Sequence, residues 1–180
     1  QAFGVAVSRD LYAALQTAQG LTGCTADTLT PACQPTVSRA QYASIASIAT
    51  NSAKTSINSL FGVPQAKLTL CRRASTSGTQ AASNQFFLNT LTGNGPNGGA
   101  DLPADAATYG AGVLATFEVK EGAGTSNARD CLNAAGYGIG VLSLENVPAA
   151  ATGPRFAKLN RVEGFDAATA SKRTALAGDD

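Results

Sequence analysis

The run Cys71-Arg72-Arg73-Ala74-Ser75-Thr76-Ser77-Gly78-Thr79 gathers the residue types that hold an anion. It joins an apolar, strand-like segment, Lys67-Leu68-Thr69-Leu70, to a helix-like one over 80–91. A guanidinium, several hydroxyls and a glycine therefore fall where a helix begins. The free N–H groups of a first turn point outward, and the macrodipole adds partial positive charge. Arginine offers a fork of donors that matches an oxyanion, and Gly78 has no Cβ to hold a ligand off the backbone. This is half of an anion-binding cradle. The same residues would also serve as a plain Ser/Thr helix cap flanked by a solvated arginine pair.

Other chemistries find less support. The chain has no His and no C-x-x-C pair, which argues against a zinc or haem site, and no cofactor is expected. Thr76-Ser77-Gly78-Thr79 lacks the flanking glycines of a nucleophile elbow, no histidine can act as general base, and no Ser-x-x-Lys spacing replaces it. Nothing in the spacing of Glu118, Glu121, Asp130 and Glu145 makes a catalytic carboxylate pair. The glycine clusters at 95–99 and 122–124 are followed by no Gly-Lys-Ser/Thr and read as turns. Binding without catalysis is the expectation. Arg39, Arg129, Arg155, Arg161 and Arg173 are read as surface salt-bridging groups, and Tyr12, Tyr42, Phe86 and Phe87 as core.

Of 180 residues, 44% are hydrophobic and 14% charged, enough to build the core of one ordinary domain. Thirteen basic against 12 acidic residues provide no field to recruit nucleic acid or an anionic membrane. No apolar run approaches the ~20 residues of a membrane span, so no insertion is expected. The lack of a basic, then apolar leader and of any Met leads to the expectation of a processed product or an excerpt.

The four cysteines are Cys24, Cys33, Cys71 and Cys131. An even count in a low-charge chain suits an exported protein in an oxidising compartment. Cys24 and Cys33 flank a Thr/Pro loop, so a local bridge between them would leave Cys71 with Cys131. Three connectivities remain open, as does a set of buried free thiols.

The elements alternate. A strand over 2–7 precedes a helix capped by Ser8 with Leu11, Tyr12 and Leu15 on one face. Ser38-Arg39-Ala40-Gln41 is a capping box heading a helix with Tyr42, Ile45 and Ile48. A helix over 54–61, the strand near 67–72, the helix over 80–91 and a loop over 92–109 follow. Strands at 112–119, 139–144 and 156–162, a helix from Thr125 or Ser126 to 135, and a last helix capped by Asp166 and running to 176 complete the set. This is an α/β pattern with a mixed, mostly parallel sheet flanked by helices.

Four stretches in this order resemble the periplasmic phosphate-binding proteins of ABC transporters. Phe3-Gly4-Val5-Ala6-Val7 is similar to the strand returning from that family's first hinge, and Val37-Ser38-Arg39-Ala40-Gln41-Tyr42 to a later helix start. Arg73-Ala74-Ser75-Thr76-Ser77-Gly78-Thr79 resembles its arginine, three residues, serine-glycine-threonine anion motif. Gly136-Tyr137-Gly138-Ile139-Gly140-Val141 resembles a glycine-rich strand. The resemblance implies a binding-protein lobe centred on 67–162, within 1–180 as one region of a longer two-lobed protein. It also implies a periplasmic or extracellular location, an ABC transporter permease as partner and inorganic phosphate or a related oxyanion as ligand. Arg73 would pair with the anion, Ser77 and Thr79 would donate through hydroxyl or backbone N–H, and Gly78 through backbone N–H. Arg72 has no counterpart, and the Trp that the family carries is missing. The competing expectation is an exported structural or surface-assembly protein that reuses the fold without transport.

Overall fold

The computed structural model describes residues 2–47, 60–88, 102–146, 148 and 152–161, and the backbone alone of 165–166 and 171–172. Ser8 separates the strand β1 (Phe3–Val7) from the helix α1 (Arg9–Ala18) and accepts from the Leu11 N–H at 3.3 Å. The Ser8 hydroxyl also donates to the Gly136 carbonyl at 2.7 Å and accepts from the Gly138 N–H at 2.9 Å, tying the cap to a distant strand. A 3₁₀ turn (Pro31–Cys33) and β2 (Thr36–Val37) lead to α2 (Arg39–Ala46). Its capping box forms as the sequence predicts: Gln41 N–H donates to Ser38 Oγ at 3.0 Å and Ser38 N–H to Gln41 Oε1 at 2.8 Å.

The remaining elements are β3 (Leu68–Arg73), α3 (Gly78–Leu88), the short α4 (Ala106–Tyr109), β4 (Phe117–Gly122), α5 (Thr125–Ala134) and β5 (Tyr137–Ser143), then β6 (Arg155–Phe156), β7 (Lys158–Leu159), β8 (Phe165–Asp166) and β9 (Ser171–Lys172). A five-stranded sheet runs in the order β4-β3-β5-β1-β6. Its three longest strands are parallel, β3 lying between β4 and β5, while β1 is antiparallel to both β5 and β6. This is the mixed, mostly parallel α/β sheet expected. β1 comes from before residue 67, so the sheet draws on more than the 67–162 stretch.

Period-two alternation divides the core. Val5, Val7, Leu68, Leu70, Phe117, Val119, Ile139 and Val141 face α1, α2 and α3 with Leu11, Leu15, Ile45 and Leu88. On the opposite face, Ala6, Cys71, Leu142, Leu144 and Phe156 meet Ala128 and Leu132 of α5. Leu142 thus points to the face opposite Leu68, Leu70, Ile139 and Val141. Gly140 has to be glycine, because a Cβ there would collide with the Cys71 carbonyl oxygen on β3. Both predicted disulfides form, Cys24–Cys33 with Cα atoms 5.4 Å apart and Cys71–Cys131 at 5.8 Å.

Several expectations are corrected. The strand placed at 112–119 lies at Phe117–Gly122, with 112–113 in a turn; Leu114 only packs against the core margin. β4 is the sheet's edge, so its outer half tolerates Lys120 and Glu121 and carries no apolar signal. The strand at 156–162 is two short strands in different sheets, ended by Asn160 and Arg161 at φ 48° and 70°. Asp166 does not cap a helix: it pairs with Ser171 in an antiparallel ladder, and apart from 171–172 the rest of the expected helix lies outside the described residues. Residues 106–109 within the expected loop form a helical turn. Arg155, expected at the surface, is 1% exposed, donating to the Ala26 carbonyl at 2.6 Å and to Asp27 at 3.1 Å. Ile48, Leu91 and most of the 54–61 helix and 92–109 loop lie outside the described residues.

Candidate functional site

The two arginines that end β3 leave it on opposite faces. Arg72 shares the Leu68 and Leu70 side and is 6% exposed. Its Nη1 donates to the Ala104 carbonyl at 2.5 Å and its Nε to the Arg73 carbonyl at 3.1 Å. Glu121, opposite it in the parallel register, lies 3.6 Å from Nε. Arg72 is therefore enclosed by structural partners. It sits near Tyr42, whose hydroxyl burial pushes up to about 12, so that side chain is neutral at physiological pH and hydrogen-bonded to Ser83.

Arg73 turns to the α5 face. Nη1 donates to Thr125 Oγ1 at 2.7 Å and Nη2 to the Ala123 carbonyl at 2.9 Å. Its Nε is buried and has no partner among the described residues. The Arg73 backbone N–H donates to Gln80 Oε1 at 3.1 Å, and Gln80 Nε2 to Asn84 Oδ1 at 2.8 Å, so the first turns of α3 are tied back to the strand end.

The segment between them is a tight turn, in which the Ser77 N–H donates to the Ala74 carbonyl at 2.9 Å and the Ala81 N–H to the Ser77 carbonyl at 2.9 Å. Ser77 thus occupies the cap position. Among the described residues, no acceptor meets the backbone N–H groups of Gly78, Thr79 and Gln80, and the Ser77 hydroxyl caps none of them. Gly78 is exposed with open space where a side chain would project; Ser77 and Thr79 are half-buried. The structure brings Ser77, Gly78 and Thr79 together at the start of α3, with Arg73 four residues before Ser77. The Arg73 guanidinium is held by the 123–125 loop and makes no hydrogen bond to those three residues.

Topology makes this corner distinctive. From β3 the chain reaches β4 on one side through α3, and from β4 it reaches β5 on the other side of β3 through α5. The two helices cover opposite faces, so the carboxyl end of β3 is a topological switch point, where crevices open in α/β sheets. The Cys71–Cys131 bridge fastens α5 to β3 two residues before Arg73. Sequence reasoning missed Ala123 and Thr125 as the groups that hold Arg73; with some 50 positions between partners, no local pattern marks them.

Among the described residues no cluster of three or more His, Cys, Asp or Glu could hold a metal, and no helix is long and apolar enough to cross a membrane. The disulfides fit a protein matured in an oxidising compartment. The chain matches no protein-family model, no curated protein and no solved structure.

Proposed function

We propose that the carboxyl end of β3 binds phosphate or a related oxyanion without catalysis, as the site of a solute-binding protein. The observation that carries this reading is the start of α3, whose first three backbone N–H groups meet no acceptor among the described residues, five residues after the arginine that ends β3. Those donors and the helix macrodipole favour negative charge at one place. The Ser77 and Thr79 hydroxyls add donors, and the open space at Gly78 admits a ligand to the backbone. Arg73 is held at the end of β3 by Thr125 and Ala123, which fixes its positive charge four residues before Ser77. In the family that the motif resembles, two lobes close on the anion and deliver it to an ABC transporter permease in the periplasm. On that reading residues 1–180 alone bind weakly, because closure and part of the donor set belong to a second lobe.

Calorimetric titration with inorganic phosphate tests the proposal. The complete protein should bind, and Arg73→Ala should lose a contact worth about 1.5–3 kcal/mol, the range for hydrogen bonds to charged groups. Arg72→Ala should lower stability while leaving phosphate affinity nearly unchanged. Equal effects of the two substitutions on affinity, or no binding by the complete protein, would dismiss the site.

A further inference from the structure

A second feature is independent of the β3 corner. Between the start of β1 and the outer turns of α3 lies a half-open cavity of about 560 Å³. Phe3 and Val141 form its floor on the sheet, Phe86 and Phe87 its helix wall, and Leu159 of β7 its far side. That volume falls in the range of small-molecule sites, roughly 300–1,000 Å³. The lining is mostly apolar, and it leaves Phe86 47% exposed, an unusual position for a large aromatic ring.

One charged side chain, Arg39, borders the Phe86 wall. The Arg39 guanidinium stands over the Phe86 ring, 4.9 Å from its centroid, and Nη2 donates to the Phe86 carbonyl at 2.5 Å. The Arg39 backbone N–H donates to Asn160 Oδ1 at 2.8 Å, so Arg39 also abuts the residue after Leu159. It therefore ties the Phe86 wall to the residue that follows Leu159. Among the described residues no carboxylate lies within ion-pair distance of Arg39, while Arg9, Arg72 and Arg155 each have one. A mostly apolar chamber bordered at Phe86 by a guanidinium that has no carboxylate partner among the described residues is complementary to an amphiphile with one anionic end.

We infer that this cavity binds a small monoanionic amphiphile, such as a medium-chain carboxylate, with its apolar body against Phe3, Phe87 and Val141 and its carboxylate on Arg39. Apolar burial supplies most of the affinity, and the charge-assisted hydrogen bond from Arg39 selects acids over neutral molecules of the same shape. The pair also meets at the protein surface, so its share is limited by solvent.

Calorimetry with decanoate and with decanol, each below its aggregation concentration, tests the inference on the complete protein. Saturable decanoate binding is expected, with decanol weaker by about three- to tenfold. Arg39→Gln should bring decanoate down to the decanol level and leave decanol unchanged. Ala82→Phe, which fills the cavity from α3, should abolish both. Circular dichroism checks folding of each variant; should Ala82→Phe not fold, the Arg39→Gln comparison of acid with alcohol decides alone. No decanoate binding, equal binding of acid and alcohol, or binding that survives in folded Ala82→Phe would overturn the inference. So would a dimer that decanoate dissociates, since that would assign the cavity to a second copy of the chain.

Discussion

α3 and α5 begin at the same edge of the same sheet, each following a parallel strand, yet their first turns are finished differently. At α5 the Gly124 N–H donates to Asn127 Oδ1 at 2.9 Å, Thr125 and Ala123 accept from Arg73, and the Cys71–Cys131 bridge anchors the helix. At α3 the first three N–H groups meet no acceptor among the described residues, and the side-chain ties run through Gln80, which accepts from the Arg73 N–H and donates to Asn84. Ser8, Ser38 and Asp105 each accept a capping hydrogen bond at the starts of α1, α2 and α4. The cap residue of α5 is Gly124, which has no side chain to cap with, and that helix is held instead by its ties to β3. A helix start left without a cap forgoes about 0.5–2 kcal/mol. The contrast says that the rigid neighbour positions the guanidinium, while the open neighbour keeps its donors available.

The largest effect should come from releasing the closed side. Replacing Cys71 and Cys131 together by Ser opens a loop with a sequence separation of 60, against 9 for Cys24 and Cys33. In the chain-entropy model the first loss is roughly 4 kcal/mol and the second roughly 2.5 kcal/mol. Urea denaturation of the two double variants measures both. Equal losses would mean that the bridge behind Arg73 is no stronger a constraint than the local one, and the rigid half of the comparison would fail.

A smaller effect should come from closing the open side. Ser77→Asp places a carboxylate at the cap position of α3, facing three unclaimed N–H groups and the positive end of the macrodipole. It should raise stability by about 0.5–1 kcal/mol. On the oxyanion reading the same variant should lose phosphate binding, because the carboxylate occupies the donors and repels the ligand. Gained stability with retained phosphate affinity would separate the helix start from the anion. A loss of stability would show that these N–H groups are already satisfied.

What was legible in the sequence follows the range of the interactions. The Ser8 cap, the Ser38 box and the opposite faces of Arg72 and Arg73 are fixed by residues within four positions of one another, and a sequence displays such patterns directly. The cysteine pairing was legible in part: the short Thr/Pro loop favoured Cys24 with Cys33 and so Cys71 with Cys131, but the sequence left three connectivities open until the fold set the distances. The groups that enclose the two arginines were not, since Ala104, Ala123 and Thr125 come from segments packed against β3 only in the folded chain. Arg155 makes the same point, reaching Ala26 across 129 positions with a side chain whose charge suggests the surface. The amphiphile cavity is also invisible one residue at a time: Phe3, Phe86 and Leu159 are ordinary core candidates until the fold leaves space between them. β4 was misplaced because an edge strand needs apolar residues on fewer positions than a central one.

The amino end of the same strand pair provides the control. There Glu118 is 5% exposed and fully engaged: Thr69 Oγ1 donates to Oε1 at 2.8 Å, Lys67 Nζ lies 2.7 Å from Oε2, and Lys120 Nζ 3.4 Å from Oε1. Burial by itself pushes the Glu118 carboxyl up, but the hydrogen bonds from Lys67 and Thr69 and the charge of Lys120 outweigh it and hold the pKa below 4.5. A carboxyl that is more acidic folded than unfolded contributes stability at full size above its unfolded pKa, and loses it as pH falls through the lower folded value. Glu118→Gln should therefore flatten the acid limb of the stability profile below about pH 4.5, where the wild type sheds this contribution. The effect is the smallest of the three, because burial offsets part of the attraction. Urea midpoints measured from pH 6 down to about pH 3 would show it. Parallel profiles for the two proteins would mean that the amino end of β3 is no better satisfied than the carboxyl end, and the open donors beside Arg73 would lose their distinction.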